Sequence, residues 1–387
     1  MSHTDLTTRA AAAGLRPPDY GGRCLDSVLP AAAAALGAGD EADEAARHRL
    51  DLPRAPRVCV VLVDGMGYEL LARRATHAPF LAGLLDAGDP LTTGFPTTTA
   101  TAMGLFGTGR PAGLTGMAGY TVRNPTTGTL ANLVSWDGAP PARQWQREPS
   151  VFERLTAKGI EVTSVAPARF GGSGLTDAVL GGGRFVAAES LRDRVDATVF
   201  ELSAPGLVYL YWGEVDKIGH QHGWRSREWA EELAATDREI SRLARSLPPG
   251  TLLMITADHG MVDVDPRAIV DVARNRDLLA GVDLVAGEPR AAHVHVRPGQ
   301  QDAVLSRWRS RLEGTALVAS RDEAVAAGWF GPVAEHVLPV LGDLVVLATG
   351  SGGVGDSRTQ TQASLALRGM HGSLTSAELD VPLLVVA

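Results

Sequence analysis

Cysteine is scarce in this chain of 387 residues, which contains only Cys24 and Cys59. Two cysteines cannot form the disulfide network that stabilises a small secreted domain, and they cannot supply a four-thiolate zinc site. Cys59 also lies inside an apolar segment. The composition therefore excludes a disulfide framework and a thiolate metal cluster.

Long apolar segments and an excess of basic residues are missing as well. No segment reaches the roughly 18 apolar residues that suggest a membrane helix, and the first residues lack the basic and apolar regions of a signal peptide. With 36 Lys and Arg against 44 Asp and Glu, the formal net charge is −8, which disfavours binding to nucleic acid polymers or to a membrane. We therefore expect a soluble cytoplasmic protein.

Apolar runs without polar alternation recur along the chain, and they predict strands that are buried on both faces of a parallel sheet. These runs are residues 58–63, 161–165, 207–211, 251–256 and 381–386. Helical patterns lie between them, at residues 68–75, 149–158 and 226–246. Strands that alternate with helices predict an α/β fold with a doubly wound, mostly parallel sheet.

The other segments suggest how the chain is divided. Residues 1–54 are rich in alanine and are interpreted as an N-terminal helical arm. Residues 55–265 and 336–387 are expected to form the first and last parts of the catalytic α/β core. Residues 266–335 are less regular, and we interpret them as a small inserted α+β subdomain.

Polar residues follow the predicted strands where each strand ends, which is where open α/β sheets bind ligands. The three acids and three histidines at these positions are Asp64, Asp216, His220, Asp258, His259 and His371. Imidazole and carboxylate groups are the donors that Zn²⁺ and related divalent cations prefer. Six donors exceed one tetrahedral site, so the sequence predicts two cations about 3.5–4 Å apart.

A hydroxyl-rich segment at residues 92–109 contains the candidate nucleophile. Pro96 and three threonines precede a small, apolar stretch, a pattern that predicts a helix start. A threonine there lies at the positive end of the helix dipole, which stabilises an alkoxide and attracts phosphate. We expect Thr97, directly after Pro96, to cap the helix.

The order of these segments resembles the alkaline phosphatase superfamily, and it is most similar to the type I phosphodiesterase/nucleotide pyrophosphatase branch. The resemblance covers residues 57–265 and 365–387. It implies one cation held by Asp216, His220 and His371, and a second held by Asp64, Asp258, His259 and the nucleophile. Zn²⁺ is usual in this family, and Mn²⁺ or Fe accept the same donors.

The resemblance also implies Thr99 as the catalytic residue, because the family nucleophile lies ten residues before the glycine of the pair Thr108-Gly109. Thr98 is the alternative, in case the helix carries a shift of one residue. The chain departs from the diesterase pattern at Gly94, where diesterases have a threonine before Phe-Pro.

A second departure concerns the substrate. Tyr120 occupies the position of the substrate-binding asparagine of the diesterases, and it becomes the candidate substrate-binding residue, with Asn124 or Asn132 as alternatives. His293 and His295 share one side of a predicted strand and could form a metal pair, but we expect an exposed strand face instead.

Together these features imply a phosphohydrolase that cleaves phosphodiester or pyrophosphate bonds of small, nucleotide-type substrates through a covalent phospho-threonine. No Arg or Lys lies in the predicted nucleophile helix, so we expect diesters to be better substrates than monoesters. A phosphomonoesterase, a mutase similar to the cofactor-independent phosphoglycerate mutases and an inactive metal-binding relative are the alternatives. A sulfatase is disfavoured because its Cys/Ser-x-Pro-Ser-Arg signature is absent.

Overall fold

The computed structural model describes residues 3–85 and 89–387. Its α-helices in this part of the chain are α1 (His3–Ala12), α2 (Val28–Ala35), α3 (Glu41–Arg49), α4 (Tyr68–Arg73), α5 (Pro79–Ala82), α6 (Thr99–Thr108), α7 (Ala112–Thr115), α8 (Ala142–Trp145), α9 (Val151–Thr156), α10 (Gly174–Val179), α11 (Leu191–Glu201), α12 (Glu214–His222), α13 (Arg227–Ser246), α14 (Arg276–Leu279), α15 (Gln301–Arg311), α16 (Arg321–Ala326), α17 (Gln362–Leu365) and α18 (Ser376–Leu379).

The strands alternate with these helices along most of the chain. They are β1 (Arg57–Val63), β2 (Leu91–Thr92), β3 (Thr121–Arg123), β4 (Leu130–Asn132), β5 (Val162–Ala166), β6 (Arg184–Ala187), β7 (Gly206–Trp212), β8 (Thr251–Thr256), β9 (Val262–Asp263), β10 (Ile269–Asp271), β11 (Val282–Glu288), β12 (Ala291–Val296), β13 (Ala316–Ser320), β14 (Leu344–Ala348), β15 (Gly353–Gly355), β16 (Gly369–Met370), β17 (Asp380–Val381) and β18 (Leu383–Val386).

Six strands form the central sheet in the order β18-β8-β1-β7-β5-β6, and β18 runs antiparallel to β8 while the others run parallel. The central strand β1 has six consecutive apolar residues that are fully buried. Each buried valine or leucine contributes about 1.5–3 kcal/mol to stability. This arrangement confirms the predicted α/β fold with a doubly wound, mostly parallel sheet.

Two details of the sheet differ from the prediction. The edge strand β6 was not predicted, because its residues are half-buried or exposed and the pattern resembles a loop. The C-terminal run at residues 381–386 is two strands, since Pro382 lacks an N–H group and interrupts the pairing. β17 pairs with β2, and β18 pairs with β8.

A second, antiparallel sheet has the strand order β11-β12-β14-β13 and its own apolar cluster around Trp308. Its strand β14 lies beyond residue 335, the predicted end of the insertion. At the other end of the chain, every residue of α2 is buried against the main core. The division of the chain at residues 54, 265 and 335 stays a prediction.

Within the described residues, no helix combines the length and the hydropathy that a membrane span requires.

Candidate active site

The parallel register of the central sheet brings the ends of three strands to one edge. Val63 at the end of β1 pairs with Trp212 of β7, and Leu62 pairs with Thr256 of β8. Asp64 therefore follows β1 at the same edge where Asp258 follows β8, and α12 begins there after β7. The parallel register of neighbouring strands therefore produces this convergence.

A glycine turn after β1 allows the close approach of α12. Gly65 has φ +71°, and a Cβ at this position would lie 2.8 Å from the Cβ of Asp216. A larger residue would be strained by the positive φ and would also displace Asp216. The glycine therefore lets the ends of two neighbouring strands present carboxylates to one site.

The six predicted ligands lie in two groups of three, in which the donor atoms are within 4.8 Å of one another. In the first group, Asp216 Oδ2 lies 3.2 Å from His220 Nε2, one turn later in α12, and Asp216 Oδ1 lies 3.9 Å from His371 Nε2. Because His371 comes from the segment after β16, distant parts of the chain complete this group.

The second group contains Asp64, Asp258 and His259. The Nε2 atom of His259 lies 3.6 Å from Asp64 Oδ1 and 3.4 Å from Asp258 Oδ2. The two groups are adjacent, since the rings of His259 and His371 are stacked with 3.6 Å between their centroids. The structure thus brings all six residues together in the grouping that the family resemblance implies.

Backbone carbonyls orient the three histidines in the same way. The Nδ1 atoms of His220, His259 and His371 lie 2.7, 2.9 and 2.8 Å from the carbonyl oxygens of Gly369, Gly260 and Thr97. A carbonyl oxygen can only accept, so each Nδ1 carries the proton and donates it. Each Nε2 therefore faces the site and offers a lone pair to a cation whenever it carries no proton, which is the usual arrangement of a metal-binding histidine.

The carboxylates are buried without enough hydrogen-bond donors. Among the described residues, Asp64 Oδ1, Asp216 Oδ1 and Asp258 Oδ2 have no hydrogen-bond partner. Burial, followed by the charges of Asp258 and Asp216, raises the pKa of Asp64 well above its usual range. Burial also raises the pKa of Asp258, although His259 opposes this shift. Unpaired buried acceptors that face free imidazole nitrogens fit divalent cations.

Asp216 and His220 form an ion pair in the chain itself. Burial opposes both charges, but His220 lowers the pKa of Asp216 below its usual range, and Asp216 raises the pKa of His220 to about 9. Burial, followed by the charge of His259, lowers the pKa of His371 well below its usual value. A cation in the first group would therefore displace the proton from His220.

Thr99 is the first residue of α6, and its Oγ1 lies 3.2 Å from His259 Nε2. The first hydrogen bond of the helix runs from Ala102 N to Thr98 O, so the N–H groups of Thr99, Ala100 and Thr101 have no acceptor in the helix, whereas Thr98 N donates to Pro96 O. The Thr99 hydroxyl therefore lies beside the second group of acids, at a helix end that attracts anions.

The expectation that Thr97 caps this helix is wrong. Thr98 is the N-cap residue, in an extended conformation and without a side-chain capping bond. Thr97 instead connects the start of the helix to the segment of His371: its Oγ1 donates to Ser373 O and accepts from Gly372 N, both at 2.9 Å. The structure thus gives Thr97 a positioning contact that helix rules alone could not reveal.

Two cavities flank the cluster, and Tyr120, with a 44% exposed side chain, lines both. The Glu288 cavity, about 520 Å³, contains Thr98, His220, His371 and Glu288. The Arg169 cavity, about 330 Å³, contains Thr99, Arg169, Phe170 and Tyr211. Tyr120 thus lines two cavities that contact different residues of the site, His220 and His371 in one and Thr99 in the other.

The alternatives to Tyr120 differ in their surroundings. The Asn124 side chain is hydrogen-bonded within its own loop, since its Nδ2 donates to Gly138 O and its Oδ1 accepts from Thr126 N. Asn132 accepts two backbone N–H groups through its Oδ1 and lines the Glu288 cavity. Asn124 therefore has no free amide for a substrate, whereas Tyr120 and Asn132 face open space.

The sequence analysis did not identify three residues that lie around the cluster or line its cavities: Tyr211, Arg169 and Glu288. The Tyr211 hydroxyl donates to Asp64 Oδ2 at 2.5 Å, and its position at the end of β7 was a usable signal. The exposed guanidinium of Arg169 lies 4.7 Å from the centre of the Phe170 ring. Burial raises the pKa of Glu288 to about 8. Arg169 and Glu288 offered no signal, because Arg169 follows β5 and Glu288 ends β11 in segments that resemble ordinary surface turns.

The expectation for His293 and His295 is also wrong, because both side chains are buried rather than exposed. Every residue of β12 is buried, so both faces of this strand are covered. His293 Nδ1 accepts from Gly342 N, and its Nε2 donates to Ala118 O. His293 therefore uses both nitrogens in the fold.

Residues 58–374 match the family model of the type I phosphodiesterases/nucleotide pyrophosphatases. The chain belongs to this family. The family is one of phosphoric ester hydrolases, so the match confirms the resemblance that the sequence motifs indicated.

Curated relatives match over shorter segments. A segment of 67 residues is 43% identical to human (Homo sapiens) ectonucleotide pyrophosphatase/phosphodiesterase family member 7, and it covers 16% of this chain and 15% of that protein. A segment of 133 residues is 32% identical to phosphopentomutase of Anaeromyxobacter dehalogenans, and it covers 33% of this chain and 30% of the mutase. The chain thus spans less than a third of the length of these relatives.

Solved structures share the fold over most of their length. Murine ectonucleotide pyrophosphatase/phosphodiesterase 5 superposes with a TM-score of 0.67 at 18% identity, over 85% of this chain and 87% of that protein. Phosphonoacetate hydrolase from Sinorhizobium meliloti 1021, in complex with phosphonoformate, superposes with a TM-score of 0.66 at 20% identity, over 86% of this chain and 90% of that protein. A further structure of the murine protein contains AMP. These likenesses confirm the fold class.

Proposed function

We propose that this chain is a metal-dependent hydrolase that cleaves phosphodiester or pyrophosphate bonds of small, nucleotide-type substrates, with Thr99 as the nucleophile. The observation that carries the proposal is the position of the Thr99 hydroxyl, 3.2 Å from His259 Nε2 and beside two groups of acids and histidines. A hydroxyl beside a two-metal ligand set and at a helix N-terminus is suited to attack phosphorus.

Each group of three residues would hold one divalent cation, Asp216, His220 and His371 the first and Asp64, Asp258 and His259 the second. Zn²⁺ suits these donors best, and Mn²⁺ or Fe are alternatives. When bound, the cations would supply positive charge that lowers the pKa of the Thr99 hydroxyl and balances the phosphate oxygens.

The residues of the chain then act on the substrate in two displacements. The Thr99 hydroxyl loses its proton to water, its oxygen forms a bond to phosphorus, and the bond to the leaving oxygen breaks; the leaving oxygen takes up a proton, giving phospho-Thr99 and the free alcohol or phosphate. Water then attacks phosphorus and loses a proton, the Thr99 oxygen leaves and takes one up, and the monoester product is released. The N–H groups at the start of α6 would bind the phosphate oxygens throughout, because they lie outside the helical bonding pattern.

The Arg169 cavity would bind the part of the substrate that stays on phosphorus. It adjoins Thr99, and it combines the aromatic rings of Phe170 and Tyr211 with a guanidinium. Aromatic rings and a cation suit a nucleotide, whose base stacks and whose phosphates are anionic. Tyr120, at the border of both cavities, would contact the substrate near phosphorus.

The experiment is hydrolysis of matched esters by the chain loaded with Zn²⁺ or Mn²⁺. We expect kcat/KM for bis(p-nitrophenyl) phosphate to exceed that for p-nitrophenyl phosphate, because the nucleophile helix carries no Arg or Lys. A preference for the monoester would contradict the diesterase assignment. Loss of both activities would indicate a metal-binding relative without catalysis.

A mutase is the second candidate, because the segment that matches phosphopentomutase covers a third of this chain. A mutase keeps phosphate on an isomeric product, whereas a hydrolase releases the monoester into water. Incubation with ribose 5-phosphate, followed by phosphorus NMR, distinguishes the two: a second sugar phosphate would support the mutase, and an unchanged spectrum with active diester hydrolysis would support the hydrolase.

A cytoplasmic location is proposed from the sequence alone.

A further inference from the structure

The Glu288 cavity starts at the first group of metal-binding candidates. His220 and His371 lie on one side of it, and the end of β11 with Glu288 lies on another. The walls between them include the apolar side chains of Leu130, Val285 and Met370. The cavity can therefore take the carbon skeleton of a small group attached to a phosphate that is bound at the cluster.

A buried carboxylate interrupts this apolar lining. Glu288 is 7% exposed, and its Oε2 accepts from the N–H group of Tyr120 at 3.0 Å. Its Oε1 is buried and has no partner among the described residues. A Cβ on Gly372 would lie 2.7 Å from Glu288 Cγ, so the side chain packs against the residue that follows His371.

Among the residues that the structure describes, no Arg or Lys pairs with Glu288. Arg290, two residues later, donates its Nε and Nη2 to Glu378 at 3.0 and 2.8 Å. Its Nη1 donates to the carbonyl oxygens of Gly350 and Gly352. The nearest guanidinium along the chain is therefore fully engaged elsewhere, and a buried acceptor without a donor is costly unless a ligand supplies one.

The position of the nucleophile determines which part of the substrate reaches this cavity. Thr99 lines the Arg169 cavity, whereas His220 and His371 line the Glu288 cavity. In an in-line displacement the attacking and leaving oxygens lie on opposite sides of phosphorus. If Thr99 attacks as proposed above, the leaving group points away from Thr99, and the Glu288 cavity is the one of the two cavities that Thr99 does not line.

We propose that the Glu288 cavity binds the leaving group, and that Glu288 selects leaving alcohols that carry a second hydroxyl or amino group. The donor on the leaving group bonds to Glu288 Oε1, and the apolar walls cover the short carbon chain. Glu288 is then a specificity-determining residue, and the inference rests on the proposed function for the direction of attack.

The test uses two esters of AMP that differ in one group: the n-butyl ester and the 3-hydroxypropyl ester, which has a hydroxyl in place of the terminal methyl. Chromatography measures the release of AMP and distinguishes it from cleavage to adenosine. We expect kcat/KM for the hydroxypropyl ester to be about tenfold higher or more than for the butyl ester, since only the hydroxyl can form a hydrogen bond to the buried acceptor. In an assay at pH 9, above the pKa of about 8 that burial gives Glu288, Glu288→Gln should reduce this preference at least severalfold, because a neutral amide forms a weaker hydrogen bond with the hydroxyl than a carboxylate does.

Asp283→Asn is the matched control. Asp283 lies on the same strand, is exposed, and pairs with Arg123 at 3.2 Å outside the cavity, so the variant loses the same charge and should keep the preference. An equal preference in wild type and Glu288→Gln, or a wild-type preference for the butyl ester, would overturn the inference about Glu288. The proposed hydrolase function would not be affected by either result.

Binding to the Thr99→Ala chain, measured by calorimetry, separates this inference from the proposed function. If no ester is hydrolysed, but the hydroxypropyl ester binds more tightly and Glu288→Gln reduces the difference, the hydrolase proposal fails and Glu288 keeps its role in selection. If binding also shows no difference, the role of Glu288 fails as well.

Discussion

Thr97 and Thr98 precede α6, and Thr99 is its first residue. Each of the three threonines has a different environment. The Thr99 hydroxyl faces His259, Thr98 caps the helix only through its backbone, and the Thr97 hydroxyl bonds to the backbone of Gly372 and Ser373. Replacing each by alanine therefore separates catalysis from positioning within one short segment.

Thr99→Ala should lower kcat/KM for bis(p-nitrophenyl) phosphate by at least about 10³-fold, because covalent catalysis is lost. Its free energy of unfolding should change little, since the side chain is only partly buried. Thr98→Ala removes no hydrogen bond of the side chain, so both activity and stability should stay close to the wild-type values.

Thr97→Ala has a different expected result. It removes two buried hydrogen bonds and leaves the N–H of Gly372 and the carbonyl of Ser373 without their partner, at about 1–3 kcal/mol for each group. We expect a loss of about 2–4 kcal/mol of unfolding free energy, together with weaker metal retention through His371.

The assays are steady-state kinetics, urea unfolding and elemental analysis of each variant. Thr99→Ser is the control, because it retains the hydroxyl and should keep activity within about tenfold of the wild type. Full activity of Thr99→Ala, with the loss confined to Thr98→Ala, would show that the nucleophile is assigned one residue too late. Loss of metal from Thr99→Ala would indicate that its effect is structural.

Three further predictions concern the metals and the buried charges. His371→Ala should lose bound metal in elemental analysis, and chelation should lower the Tm of the wild type more than that of the variant, because cations that bind the folded state stabilise it. Burial lowers the pKa of His295 to about 3 from its usual 6.5, so the unfolded chain takes up a proton first as the pH falls; stability is therefore complete above about pH 6.5 and is lost below it. His295→Leu should reduce the stability difference between pH 6.5 and 4.5 by about 2–3 kcal/mol in urea unfolding, and an unchanged difference would contradict a neutral His295. Arg290→Met should cost about 3–5 kcal/mol in the same assay, because it leaves Glu378 buried without its partner at 2.8 Å; a loss below about 1 kcal/mol would show that the pair is not buried in solution.

The sequence was informative where a single physical cause dominates. The buried strands β1 and β8 could be predicted because residues covered on both faces must be apolar throughout. Asp64 and Asp258 could then be placed at one edge, since parallel strands end together. The cap of α6 could not be predicted, because the Thr97 hydroxyl bonds to residues 275 positions away, and helix rules include only local partners.

Glu288 was missed for a related reason. The segment Glu288-Pro289-Arg290 joins two antiparallel strands, and a charged turn of this composition is normally exposed to water. Its burial depends on contacts with Gly372 and Tyr120, which are distant in sequence. Long-range packing therefore determined the part of the site that no local pattern could indicate.

The same segment connects the small sheet to the metal-binding candidates. Arg290 joins Glu378, and Glu378 Oε1 also accepts from Ser373 N, two residues after His371. Ser373 O in turn accepts from Thr97, two residues before Thr99. One chain of buried hydrogen bonds thus runs from the small sheet through the segment of His371 to the start of α6. Because Glu288 lies two residues before Arg290, the same contacts fix the position of the end of β11 relative to Thr99. If Thr99 and the Glu288 cavity act as proposed above, a change in the small sheet should alter both substrate choice and turnover.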